Sequence, residues 1–267
     1  LNGVKIAEAT TQLEDSIKSR PRSAEAHYFL GIAYLQSRET AKAERELVLA
    51  LRINPALAQA YIALAEVKLD TGDADSAVRY AKAALDLNPN AAEARLILGS
   101  AYAGQQKYAE AAPEIEAFVA KNPGNPAGHY RLGLLYFRQG KAAQAEAQFE
   151  AALKADPQHA ESLLALASVY IAGKSPDKAV ARINQAIAAH PENPVLHKVL
   201  GQVYLLQRDP AKAEEAYKKA AAVNPKDMNR RIALAGFYAN TRQASKSIET
   251  LQAILKDAPG NPDAALG

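Results

Sequence analysis

The chain has 267 residues, 23% of them charged, a formal net charge of +3, and neither cysteine nor tryptophan. Disulfides, thiolate metal sites and cysteine nucleophiles are therefore excluded, and the near balance of charge argues against a protein built to coat nucleic acid. No stretch reaches the roughly 18–20 apolar residues that a bilayer-spanning helix needs.

From the N-terminus onward, the first clear signal is a proline that returns. Pro21, Pro55, Pro89, Pro123, Pro157, Pro191, Pro225 and Pro259 lie 34 residues apart without insertion or deletion, and Asn or Asp precedes five of them. Proline has no N–H to donate and pushes the preceding residue out of the helical region, so each one ends a helix and opens a turn. A fixed period of this length marks a repeat array, not a domain with one central core. With the proline at position 32 of the unit, residues 1–23 hold a partial repeat, its second helix at roughly Lys5–Lys18. Full units follow at 24–57, 58–91, 92–125, 126–159, 160–193, 194–227 and 228–261, and residues 262–267 start another. One continuous solenoid is expected. The pattern runs off both ends, so the chain reads as a segment of a longer array, with room upstream for a signal or lipid anchor.

Each unit carries two amphipathic helical patterns, at roughly positions 2–14 and 16–30. Thr71-Gly72-Asp73 and Gln139-Gly140-Lys141 mark turns between them. Pro113 falls inside the second helix of the third unit, takes the donor from the Ala109 carbonyl, and predicts a bend. Either packing compensates it or the superhelical pitch changes between units 1–3 and 4–7. Pro126, Pro194 and Pro262 open first helices. Ser175-Pro176 and Asp209-Pro210 place a capping side chain before a proline at the first helical position. The last helix ends on Leu251, Ile254 and Leu255 with no helix after it to cover them. Both ends are expected to be adhesive, and end-to-end self-association follows.

Some positions are nearly fixed in size. Position 8 is Gly31, Ala65, Gly99, Gly133, Ala167, Gly201 and Ala235; position 20 is Ala43, Ala77, Ala111, Ala145, Ala179, Ala213 and Ser247. Position 27 is Ala in five units, with Phe118 and Ile254 as exceptions. Small residues let helix backbones approach closely. Position 7 is always Leu, and position 11 is Tyr in six units of seven, with Lys68 in the other. Leu-Gly at 7–8, Tyr at 11, Ala at 20, a large apolar residue at 24, Ala at 27 and Pro at 32 resemble the tetratricopeptide repeat. The resemblance spans the chain and implies an all-α solenoid: antiparallel helix pairs in a right-handed superhelix with a concave groove. Position 4 departs from the pattern. The family often has Trp there, and this chain has His27, Tyr61, Arg95, His129, Leu163, His197 and Arg231.

Catalytic constellations are missing. There is no HExxH, phosphate-binding glycine loop or GxSxG elbow. Of the five histidines, His27, His129 and His197 recur at position 4, so the repeat and not a metal sets their spacing; His159 and His190 are the others. No enzyme activity, cofactor or metal is expected.

In the family the groove is lined mainly by positions 2, 5, 6, 9, 12 and 13 of first helices. Here those positions yield Tyr28, Ile32 and Leu35 in unit 1, Glu66 and Leu69 in unit 2, and Tyr130, Leu134 and Phe137 flanked by Arg131 and Arg138 in unit 4. Lys198 and Leu205 extend the set into unit 6. The carboxylate clamp of co-chaperones is absent, since Gln202 and Ala233 stand where Asn belongs, and so is an asparagine ladder at position 6. Apolar stripes of this kind suit a helix or extended peptide. Glu25, Glu66, Asp70 and Glu93 line units 1–3, whereas Arg131, Arg138 and Lys198 line units 4–6, so a ligand with the opposite order of charges is expected. The reading is a non-catalytic protein-interaction scaffold, similar to bacterial multi-repeat proteins of the envelope and of exopolysaccharide or protein export. The alternative is a regulatory arm of a larger enzyme, such as a glycosyltransferase, whose catalytic domain lies outside the segment. Either a cytoplasmic or a periplasmic setting is compatible, and no nucleic-acid partner is implied.

Overall fold

The computed structural model describes residues 2–225 and 227–257, with side chains from Ile6 onward. Pro259, Pro262 and the further repeat expected at 262–267 lie outside the described residues. Among those described, every regular element is an α-helix, and the architecture is an all-α solenoid of helix pairs.

The chain divides into two compact units, Leu1–Pro123 and Gly124–Gly267. The first holds α1 (Asn2–Ser19), α2 (Ala24–Gln36), α3 (Thr40–Ile53), α4 (Ala58–Asp70), α5 (Ala74–Leu87), α6 (Ala92–Gly104) and α7 (Tyr108–Lys121). The second holds α8 (Pro126–Arg138), α9 (Ala142–Ala155), α10 (Ala160–Ala172), α11 (Pro176–Ala189), α12 (Pro194–Leu206), α13 (Pro210–Val223), α14 (Met228–Asn240) and α15 (Ala244–Asp257). In the full units first helices have 13 residues and second helices 14, each starting 34 residues after its counterpart, whereas α1 has 18.

Turn chemistry explains the period. At Asn54, Asn88 and Asp156 the residue before the recurring proline is extended, as proline favours. Its side chain accepts the N–H two residues on: Ala56 to Asn54 (3.0 Å), Asn90 to Asn88 (3.1 Å) and Gln158 to Asp156 (2.9 Å). First helices end in a two-bond cap that turns the chain back. The N–H at position 16 reaches the carbonyl at 11, as in Glu39 to Tyr34 (2.8 Å), and the N–H at 15 reaches 12, as in Arg38 to Leu35 (3.0 Å). Asp209 caps α13 through the Lys212 N–H (3.1 Å). Ser175 does not cap α11: its hydroxyl turns back to the Gly173 carbonyl (3.4 Å). Pro113 sits within α7, which is helical across all 14 residues. Pro113 and Ala109 are both exposed, so water can reach the carbonyl that lost its donor.

Within each pair the residue at position 8 faces the one at 24. A Cβ on Gly31, Gly99, Gly133 or Gly201 would come within 2.8, 2.5, 2.5 or 2.7 Å of Leu47, Ile115, Phe149 or Tyr217. Where position 8 is alanine, position 24 is Ala81, Ile183 or Leu251. The alanines at position 20 are buried. Ser247, the exception, donates its hydroxyl to the Ala235 carbonyl at 2.9 Å, so its added oxygen is satisfied.

In four units the variable residue at position 4 has a matching partner at 23 on the second helix, whereas Arg231 instead pairs with Asp257. His27 Nδ1 meets Glu46 at 2.7 Å, Arg95 donates to Glu114 at 2.9 Å, His129 Nδ1 meets Gln148 at 2.8 Å, and the rings of Tyr61 and Tyr80 lie 6.3 Å apart. His197 has Ala216 at position 23, its buried Nδ1 lacks a hydrogen-bond partner, and burial lowers its pKa.

Seams between successive pairs follow another rule. Position 11 meets position 21 of the preceding unit: Lys68 bridges Glu44 (2.6 Å), Tyr170 donates to Glu146 (3.0 Å) and Tyr238 to Glu214 (3.2 Å). Burial and then the hydrogen bond to Glu146 push the Tyr170 hydroxyl up to about 12. Glu214 moves the other way, down to about 2 from 4.5, because Lys218 and Lys246 donate to it. A depressed folded value means that its contribution is complete above about pH 4.5 and is lost as the pH falls through about 2. Glu214→Gln is expected to flatten the acid limb of Tm against pH over that window. At neutral pH it should cost only about 1 kcal/mol, since both lysines are largely exposed. An acid limb identical to that of the parent would show that the cluster contributes nothing.

Candidate functional site

The stripes proposed for binding lie on first helices, where a two-bond cap at one end and a proline turn before the other set each helix's frame. Tyr28, Ile32 and Leu35 on α2 are half-buried and pack against Leu47, Ala63 and Leu64. Tyr130, Leu134 and Phe137 on α8 are half-buried against the cluster of Phe149, Leu153, Leu163 and Leu166. Leu69 packs on Ala65, Ala81, Ile97 and Leu98, and Leu205 on Tyr217 and Phe237. Each of these side chains therefore helps hold neighbouring helices together and presents only part of its surface to solvent.

In the first unit, Leu35 and Glu66 come together in a cleft of ≈ 560 Å³ between α2 and α4, which Arg38 and Asp70 also line. Glu25, Glu66, Asp70 and Glu93 are exposed. Burial, with the nearby Glu93 carboxylate, raises the pKa of Tyr28. In the second unit, the Tyr130 ring lies 6.1 Å from Phe149 and 5.7 Å from His159. His159 Nδ1 accepts the Ser162 N–H at 3.2 Å and so starts α10. The Arg131 guanidinium stands 5.9 Å over the Tyr130 ring, within cation–π range. No carboxylate lies within ion-pair distance of Arg131 among the described residues. Burial raises the Tyr130 pKa, while Arg131 and Arg138 oppose that rise. Arg138 and Lys198 are exposed.

Three exposed apolar residues belong to these surfaces and were not among the expected site residues: Phe29 (55% exposed), Val195 and Leu206. They occupy positions 6, 2 and 13, all groove positions of the family, so the signal was present. Ala63, Ile97 and Val199 fill position 6 in buried form elsewhere, which makes Phe29 the exception. At the end of the second unit, Leu251 and Ile254 are buried, contrary to expectation, because both face α14 within their own pair. Ile248 is the residue of α15 that stands bare, at 51% exposure. Among the described residues no group of three or more potential ligands could hold a metal ion, and no helix is long and apolar enough to cross a membrane.

Two family models described as "Tetratricopeptide repeat" match the chain, one at residues 5–58 and 62–126, the other at 136–203 and 204–266. No curated protein matches it significantly by sequence. Among solved structures, a chain of the Cut9–Hcn1 hetero-tetramer of the APC/C is similar over 87% of this chain (TM-score 0.63, 20% identity). The present chain spans 46% of that one. The human IFIT1 dimer with m7Gppp-AAAA is similar over 95% of this chain and 68% of its own (TM-score 0.64, 16% identity). A tetratricopeptide repeat protein from Parabacteroides merdae is similar over 90% and 94% (TM-score 0.55, 17% identity). At these identities the likeness is one of fold.

Proposed function

Because this chain belongs to the tetratricopeptide repeat family, we propose that it is a non-catalytic protein-interaction scaffold, and that the first-helix surface around α8 holds an acidic peptide or helix. The observation that carries the reading is Arg131: half-buried, stacked on Tyr130, and without a carboxylate partner among the described residues. A desolvated cation beside the apolar flank of Leu134 and Phe137 is completed by an acidic residue on a partner that also brings apolar side chains. Arg138 and, further along, Lys198 add charge of the same sign. In the first unit the exposed carboxylates around the α2–α4 cleft suit a segment of opposite charge. A bacterial envelope or export setting belongs to the same proposal, and composition is what supports it. Self-association through the outer face of α15 would rest on Ile248.

Tyr130 and Phe137 pack into the core, so truncating them would confound binding with folding. Charge reversal is the cleaner test. Against a peptide array graded from acidic to basic, the parent chain is expected to select acidic, apolar-flanked peptides with an affinity that falls as salt rises. Arg131→Glu/Arg138→Glu should weaken binding by tenfold or more and reverse the salt dependence. Unchanged affinity and salt dependence would remove the proposed site from α8.

A further inference from the structure

We infer that the edge of the second unit formed by its helix-to-helix turns is a docking surface for an anionic lipid bilayer. Position 15 of every full unit is left-handed: Gly72 (φ 81°) and Gly140 (φ 72°), but also Arg38, Gln106, Lys174, Arg208 and Arg242 (φ 56–61°). A side chain disfavours that conformation, and the two glycines show what fits without strain. Three successive turns of the second unit nonetheless carry Lys174, Arg208 and Arg242. All three are exposed, and none forms an ion pair among the described residues. Attraction to the helix C-terminus does not require this placement. A cation within the last helical turn would serve as well, yet α10, α12 and α14 have none there.

These turns lie side by side. Gln207 Nε2 donates to the Pro176 carbonyl of the neighbouring turn at 3.2 Å, and Lys246 reaches back to Glu214 at 3.0 Å. Lys141, Lys178, Lys212 and Lys246 flank the row, each ammonium 5.3–6.0 Å over the tyrosine at position 11. Seven cations thus share one edge with three carboxylates, Asp177, Asp209 and Glu214, in a chain whose whole formal charge is +3; Lys212 engages Asp209 at 3.1 Å and Lys246 engages Glu214, which leaves Lys174, Arg208 and Arg242 as cations without an ion pair among the described residues. Leu206, 51% exposed, lies two residues before Arg208 as an apolar anchor. The tyrosine rings are covered by lysines, so the edge offers no platform for stacked bases. Long cationic arms on the tips of regularly spaced turns, with one apolar side chain among them, suit a flat anionic surface.

Co-sedimentation tests this. Vesicles of about 30% phosphatidylserine in phosphatidylcholine should capture the chain at low salt, and pure phosphatidylcholine should not. Removing each cation should weaken partition about fivefold, so Lys174→Gln/Arg208→Gln/Arg242→Gln should lower it roughly 100-fold. Gln106 already holds this backbone conformation at φ 61°, so the variant keeps its turns. The corresponding triple glycine variant should lose binding to the same extent while its Tm rises, which separates lost charge from lost fold. Equal binding of the parent to neutral and anionic vesicles would overturn the proposal, as would undiminished binding by either variant. In the Arg131→Glu/Arg138→Glu background, where the acidic-peptide site proposed on α8 is disabled, tighter capture by soluble poly-L-glutamate than by vesicles would also overturn it, and would assign the edge to an acidic protein segment.

Discussion

Phe149→Ala is expected to lower stability by about 4 kcal/mol, and Gly133→Ala to lower it by about 1–2 kcal/mol despite alanine's better helix propensity. Phe149 is fully buried (0% exposed) at the centre of the largest cluster in the second unit, where its ring fills the space left by the missing side chain of Gly133. Truncation leaves a cavity that the rigid helix pair cannot close. An added Cβ at Gly133 would sit 2.5 Å from Cε1 and 2.7 Å from Cδ1 of that ring, so α8 and α9 must separate. Overpacking of this kind costs more than the roughly 1 kcal/mol gained by removing a helical glycine. The chain itself contains the remedy, since Ala167 is opposite Ile183 and Ala235 opposite Leu251. Gly133→Ala/Phe149→Leu should therefore be more stable than the sum of its single variants. Urea unfolding followed by circular dichroism measures the totals. Amide exchange in α8 and α9 localises them, because repeats can unfold piecemeal. Additive single variants would break the proposed pairing of positions 8 and 24.

His27→Ala should cost about 3 kcal/mol, whereas Glu46→Gln should cost about 1 kcal/mol or less. His27 and Glu46 are each only 6% exposed, and His27 also meets the Pro21 carbonyl at 3.3 Å. Without the imidazole, the Glu46 carboxylate stays buried with only Arg45, 3.2 Å away and largely exposed, to compensate it. Glutamine at the same place still offers an oxygen to the ring, as Gln148 does to His129 at 2.8 Å. His27→Ala/Glu46→Ala removes both polar groups and should be less damaging than His27→Ala with Glu46 retained. Denaturant midpoints for the three variants check the order. If Glu46→Gln proved as costly as His27→Ala, the pair would owe its value to charge and not to hydrogen bonding.

How much of this was legible depends on whether a property belongs to one column of the repeat or to two. Pro55 and its counterparts stop helices wherever they stand, so the array and its helix boundaries could be read directly; starts in the full units are correct to within a residue, while α1 begins at Asn2, three residues before the expected Lys5. Pairings such as Gly133 with Phe149, or His27 with Glu46, join residues 16 and 19 apart on different helices, and reading each position by itself hides them. The proposed binding surface lies between these cases. Tyr130 and Phe137 are on the expected helix face, but how much of each the next helix covers depends on its own side chains. That is why Phe29 is bare while Val199, at the same position, is buried. Leu251 and Ile254 have no helix after them among the described residues, and the helix that covers them, α14, comes before them in the chain.

The seams between pairs bear on how such an array can evolve. Lys68 is tolerable because Glu44 precedes it, whereas the unit after Val78 presents Tyr102 and the one after Val180 presents Tyr204. Moving the second repeat behind either valine would set an ammonium group against an alkyl wall, and moving a tyrosine repeat behind Glu44 would trade an ion pair for a hydrogen bond from an uncharged hydroxyl. All seven units share a length, which by itself would let recombination shuffle them freely. Their side chains at 11 and 21 act as a local grammar, so that duplication of neighbours together is tolerated where transposition of one alone is not.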